Sequence, residues 1–226
     1  MPSRFNISND SNMHRLLSQL NVDLGPIPNR YNLAPTDQIP VIHHWEGLRL
    51  ISDMRWWLVP HWSDGPSTHY PMFNARYETL ENSRAYQGCF RHKRCIIPAH
   101  SFVEWQHSEQ QKTPYLFSAV DQAIAFAGLW DYWTNGIEHV LSCAMITTQA
   151  SPEFEPYHQR MPVMLNATNA ELWLDEKQDT KTLYPLFEST LPYCLQAVEI
   201  DSEYSNVRNK AKPVLVGNVV NLGLKE

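Results

Sequence analysis

The chain has 226 residues, 43% hydrophobic and 19% charged, which calls for one folded domain spanning 1–226 and excludes disorder. No apolar run reaches the roughly 18 residues of a membrane span. A net charge of −6 argues against bulk binding to duplex DNA, though not against a local basic groove. Sixteen Pro and eight Trp predict many short elements joined by long ordered loops. Cys89, Cys95, Cys143 and Cys194 have neither CxxC nor zinc spacing. Residues 1–5 lack the pattern of a secretion signal, so the cysteines read as reduced, mostly buried thiols of a cytoplasmic protein.

In chain order, Ser8-Asn9-Asp10 can cap a helix whose Met13, Leu16, Leu17 and Leu20 fall at helical spacing, with Pro26 and Pro28 ending the segment. Two β-like runs, Ile39 to Trp45 and Leu48 to Trp57, meet at Glu46-Gly47 as a hairpin. A long loop from Pro60 to Pro71 follows, of the kind that often carries function. Asn74 to Glu78 precedes an expected helix through Arg84 and Tyr86. Short strands are expected at Arg94–Pro98, Phe102–Trp105, Tyr115–Ala119 and Ala123–Trp130. Asn135-Gly136 predicts a tight turn into a strand at Val140–Thr147. Thr168 to Glu171 has the form of a capping box before a helix containing Leu172 and Trp173. A further helix near Lys181–Phe187 and β-like pieces near Leu195–Ile200 and Pro213–Val216 complete the chain. The sum is an α+β fold: one domain with a largely antiparallel, barrel-like sheet flanked by helices.

Four constellations could carry chemistry. Arg76, Arg84, Arg91, Lys93 and Arg94 lie close together beside Asn74 and Glu78, either as a solvated helix face or as a phosphate track. Strand alternation puts Phe102 and Glu104 on one face and Val103 and Trp105 on the other. A carboxylate among such aromatics loses water and titrates upward, into the range of a general acid or base. His158 precedes a strand in Tyr157-His158-Gln159-Arg160-Met161-Pro162, where it serves as a structural imidazole or as a proton shuttle. Trp62 stands in the long loop beside His61, where a ring can stack on an unpaired base.

The start of the chain adds a nucleophile. A small residue at position 2 normally permits removal of Met1, exposing the Pro2 amine. An α-amine titrates at about 8 against about 10.4 for a lysine, so far more of it is free base at neutral pH. It attacks aldehydes correspondingly better. With Met1 retained, the same nitrogen is an amide and does not react.

Ser3-Arg4-Phe5, Arg30 to Pro35, Trp57 through Pro60 to Trp62, Asn74 to Thr79, Arg94 to Pro98, Phe102 to Trp105, Phe126 to Trp130, Thr147-Thr148, His158 to Pro162 and Asn206 to Asn209 together resemble the SRAP family, the SOS response-associated peptidases or abasic-site processing proteins. The motifs run in the family's order along nearly the whole chain. The resemblance implies binding to single-stranded DNA and reaction with the ring-opened aldehyde of an abasic site. It implies that Asn74 orients the amino terminus and the sugar, that Glu104 is the acid/base of imine formation and reversal, and that His158 assists ring opening or proton transfer. Arg4, Arg76 and Arg84 would hold phosphates, with Pro35 and Trp62 also at the DNA. Expected partners are thus single strands bearing abasic sites, with no cofactor, no metal and no membrane, and the chain is expected to act as a cytoplasmic monomer.

One departure falls on the chemistry itself. Pro2-Ser3 stands where the family has Cys-Gly, so the thiol that closes a thiazolidine is missing. Three readings follow: a lyase working through a Pro2 imine, a non-covalent module that shields single-stranded or junction DNA, and a self-processing peptidase that removes Met1.

Overall fold

Residues 2–22, 27–108 and 111–223 are described by the computed structural model. Two short strands, β1 (Arg4–Ile7) and β2 (Arg30–Leu33), flank helix α1 (Ser11–Gln19). Asp10 caps that helix by accepting from the Asn12 and Met13 N–H groups, and Met13, Leu16 and Leu17 form its buried stripe. The helix stops at Gln19: Leu20 N–H donates to Leu16 O, Asn21 N–H donates to Ser18 O, and Asn21 turns to a positive φ. Termination therefore comes before Pro28, while Pro26 lies outside the described residues.

The predicted hairpin is present as β3 (Gln38–Trp45) and β4 (Leu48–Trp56), with Glu46 and Gly47 both at positive φ as a tight two-residue turn demands. Then follow β5 (Asn74–Arg76), α2 (Gln87–His92), β6 (Arg94–Ala99), β7 (Ser101–His107) and β8 (Lys112–Ala119). Next are β9 (Ile124–Thr134), β10 (His139–Gln149), β11 (Arg160–Pro162), β12 (Met164–Leu165) and α3 (Ala167–Leu174). A 3₁₀ segment, Thr180–Phe187, precedes β13 (Leu195–Glu199) and β14 (Val220–Leu222).

Five strands close a barrel in the order β10-β4-β3-β6-β9 and back to β10. Its neighbours are antiparallel except β4 with β10, where Ser142 faces Arg55 and Cys143 faces Trp56. At Gly128 inside this barrel a Cβ would meet Cys95 Sγ at 2.9 Å and Ala144 O at 3.1 Å, so only glycine fits. A second sheet, β14-β13-β8-β7-β1-β2, packs over it through rings. Phe5 meets Trp56 at 5.1 Å and Phe126 at 6.4 Å, and Phe102 meets Phe126 at 5.7 Å. The expected α+β class with a barrel-like, largely antiparallel core holds.

Three local expectations are corrected. No helix runs through Arg84 and Tyr86; a 3₁₀ turn, Tyr77–Thr79, gives way to further turns, and α2 begins only at Gln87. Asn82 and Ser83 interrupt the run, both being residues that compete with a helix for backbone hydrogen bonds. Helix α3 is capped by Asn166, which accepts from Asn169 N–H, so Thr168 lies inside the helix instead of capping it. In the tail, Leu215 makes only an isolated bridge to Ile200, and the paired strand is the unpredicted β14.

Candidate functional site

The amino terminus is brought to the middle of the molecule by pairing. Strand β1 runs antiparallel to β7 with Arg4 opposite Val103 and Phe5 opposite Phe102, a register that carries Pro2 and Ser3 toward Glu104 and Trp105. Pro2 is buried. Its carbonyl accepts a 2.9 Å hydrogen bond from Asn74 Nδ2.

Asn74 owes its place to a detour of the chain. Strand β4 pairs with β10 at Ser142 and Cys143, and β5 pairs with the same edge at Met145 to Thr147. The intervening loop thus leaves β10 and returns two residues further along it. Asn74 is itself buried, and its Oδ1 has no hydrogen-bond partner. Such an orphan acceptor beside Pro2 calls for a reason.

Glu104 is only 2% exposed. Burial pushes its carboxyl up to about 6, against the pull of the positive charge at the amino terminus. His158 is half-buried, and its Nδ1 accepts from the Arg160 N–H at 2.9 Å. Burial lowers its pKa, and the same terminal charge lowers it further, so the neutral ring dominates at pH 7. Arg160, two residues on from His158, joins this segment to the 3₁₀ turn after β5 by a two-pronged pair with Glu78 at 2.8 and 3.0 Å.

The expected basic residues separate into two kinds. Arg76 and Arg84 are exposed, and the Arg84 guanidinium lies 4.0 Å from the Trp62 ring, which is 43% exposed. Arg4 is half-buried beside Trp105, 5.8 Å from that ring. Burial lowers its pKa while Asp37, in the turn that presents Pro35, raises it. The phosphate-track reading fails at Lys93 and Arg94. Lys93 is paired with Asp131. Arg94 is buried, donating to the carbonyls of Phe90, Arg91, Trp173 and Asp175, where it satisfies the ends of α2 and α3.

The cysteines offer no substitute thiol for position 2. All four are free; Cys89, Cys95 and Cys143 lie in the core, and burial raises each of these three thiols. Among the described residues no three His, Cys, Asp or Glu side chains converge as a metal site requires. Among them, too, no helix is long and apolar enough to cross a membrane.

A family model described as "SOS response associated peptidase (SRAP)" matches residues 1–207. The chain belongs to the SRAP family. Among its SRAP relatives is the abasic site processing protein YoqW of Bacillus subtilis (strain 168), 31% identical over 208 residues that cover 88% of this chain and 93% of the relative. The abasic site processing protein HMCES of Xenopus tropicalis is 30% identical over 69% of this chain and 58% of its own length. Among solved structures, a protein from Bacteroides thetaiotaomicron superposes with a TM-score of 0.74 at 18% identity, covering 92% of this chain and 99% of that one. One from Bordetella bronchiseptica gives 0.73 at 23%, over 88% and 99%. These two share the fold of this chain.

One polar residue of this SRAP chain, Asp131, escaped the sequence reading. The signal was available: Trp130-Asp131-Tyr132-Trp133 sets a carboxylate among strand aromatics, as the Glu104 segment does.

Proposed function

We propose that this chain processes abasic sites in single-stranded DNA through its amino-terminal residue, as a lyase working by a Pro2 iminium in place of a stable thiazolidine. The observation that carries the reading is the 2.9 Å bond from Asn74 to the Pro2 carbonyl, beside a buried Glu104 whose carboxyl titrates near 6. Relatives described as abasic site processing proteins supply the substrate class.

Removal of Met1 frees the Pro2 nitrogen. Its lone pair attacks C1′ of the ring-opened sugar, and the carbinolamine loses water as Glu104 donates a proton, leaving an iminium. The unpartnered Asn74 Oδ1 is available to accept from the attacking amine or the carbinolamine hydroxyl. The iminium acidifies C2′; a base, Glu104 or the neutral His158, takes that proton, and the electron pair expels the 3′ phosphate. Water then hydrolyses the unsaturated iminium and returns the amine. No redox partner enters the cycle, and a secondary amine without a neighbouring thiol has no route to the ring that would trap it.

Incubation with a single-stranded oligonucleotide bearing one abasic site is expected to give the β-elimination product. Its pH profile should be bell-shaped, with one limb near pH 6 that Glu104→Gln removes while slowing the rate about a hundredfold. Equal cleavage by protein whose terminal amine has been acetylated contradicts the proposal, and no cleavage by protein with a free Pro2 amine leaves a module that shields DNA without reacting with it.

A further inference from the structure

The detour between β4 and β5 is fastened by side chains of the two strands beneath it. Val59 N–H donates to Ser142 Oγ, His61 N–H to Asp131 Oδ2, and Trp133 Nε1–H to Ser63 O, each at 2.8 Å. Asp131 does the most. Its side chain is 1% exposed, yet it also accepts from His61 Nδ1 at 3.0 Å and Tyr132 N–H at 2.9 Å, and pairs with Lys93 Nζ at 2.5 Å.

Burial works to raise this carboxyl, but Lys93 and the His61 donors outweigh it and hold the group below the usual carboxylate range. An ionised carboxylate only accepts, so His61 Nδ1 carries the hydrogen. Backbone and ring of His61 are therefore both fixed by one side chain. The next residue is Trp62, whose ring meets the Arg84 guanidinium at 4.0 Å. Left unrestrained, a loop of this length would lose considerable conformational entropy on seating that ring against a ligand.

We propose that Asp131 is a positioning residue: it holds the His61–Trp62 corner so that Trp62 and Arg84 stand ready as a platform for an unpaired base and its phosphate. The platform is built before ligand arrives, and Asp131 acts through His61 without touching DNA. This inference rests on the single-stranded DNA reading given above but not on any chemistry at Pro2.

The test is binding to a single-stranded oligonucleotide that has no abasic site, with thermal unfolding run on each variant. Trp62→Ala and Asp131→Ala are each expected to weaken binding about tenfold, or ~1.4 kcal/mol. The double variant is expected to bind no more weakly than either, because a displaced corner has already withdrawn the ring. Asp131→Asn keeps the shape and one acceptor; it is expected to lose about threefold and takes the place of the alanine variant if that one does not fold. Effects that multiply in the double variant, or parental affinity in folded Asp131→Asn, overturn the proposal. Coupling in a chain that cleaves no abasic DNA refutes the Pro2 chemistry alone, whereas a parent that binds no single strand refutes both readings.

Discussion

Glu104 shows what a single residue contributes and what it costs. Its folded pKa of about 6 lies above the 4.5 of a free glutamate, so the folded state holds its proton more tightly than the unfolded chain. The stability this gives is fully present below pH 4.5 and is lost as pH rises through 6, reaching about 2 kcal/mol at neutral pH. Glu104→Gln should flatten the pH dependence of urea unfolding between pH 4.5 and 7 and leave the variant more stable than the parent at pH 8. An unchanged slope would contradict the burial argument. Strand alternation was enough to pick out this carboxylate, since Phe102 and Trp105 mark its surroundings. His158 was legible only as a candidate, because its tautomer and its neutral state depend on the Arg160 N–H and on burial, which spacing does not encode.

At the scale of elements, local signals served where the backbone alone decides the outcome. Glu46-Gly47 predicted the hairpin, and Ser8-Asn9-Asp10 the first helix cap, which Asp10 supplies. They failed where two nearby residues compete for one role, as Asn166 and Thr168 do for the start of α3. Basic residues clustered in sequence likewise gave no indication of which would be buried. Arg94 closes the carboxyl ends of α2 and α3 with four hydrogen bonds to carbonyls. Arg94→Met should therefore cost about 3 kcal/mol in chemical unfolding, with the affinity for single-stranded DNA unchanged. Weaker binding at parental stability would restore the phosphate-track reading.

At the scale of the whole molecule, barrel closure was the least legible feature. It depends on a parallel pairing between Arg55-Trp56 and Ser142-Cys143, remote in sequence and marked by no turn. The same strand edge then receives Asn74, so the topology that hides the closure is also what sets Asn74 against Pro2. The protein combines a SRAP fold with Pro2 where the family's thiol is expected, and the central claim is that the Pro2 amine, once freed of Met1, forms a covalent intermediate. Intact-mass measurement after incubation with an abasic single-stranded oligonucleotide and borohydride tests it most directly. The account predicts a chain lacking Met1 that carries one reduced adduct, the adduct vanishing when the terminal amine is acetylated beforehand. Retention of Met1, or a Met1-free chain with no adduct, would contradict it.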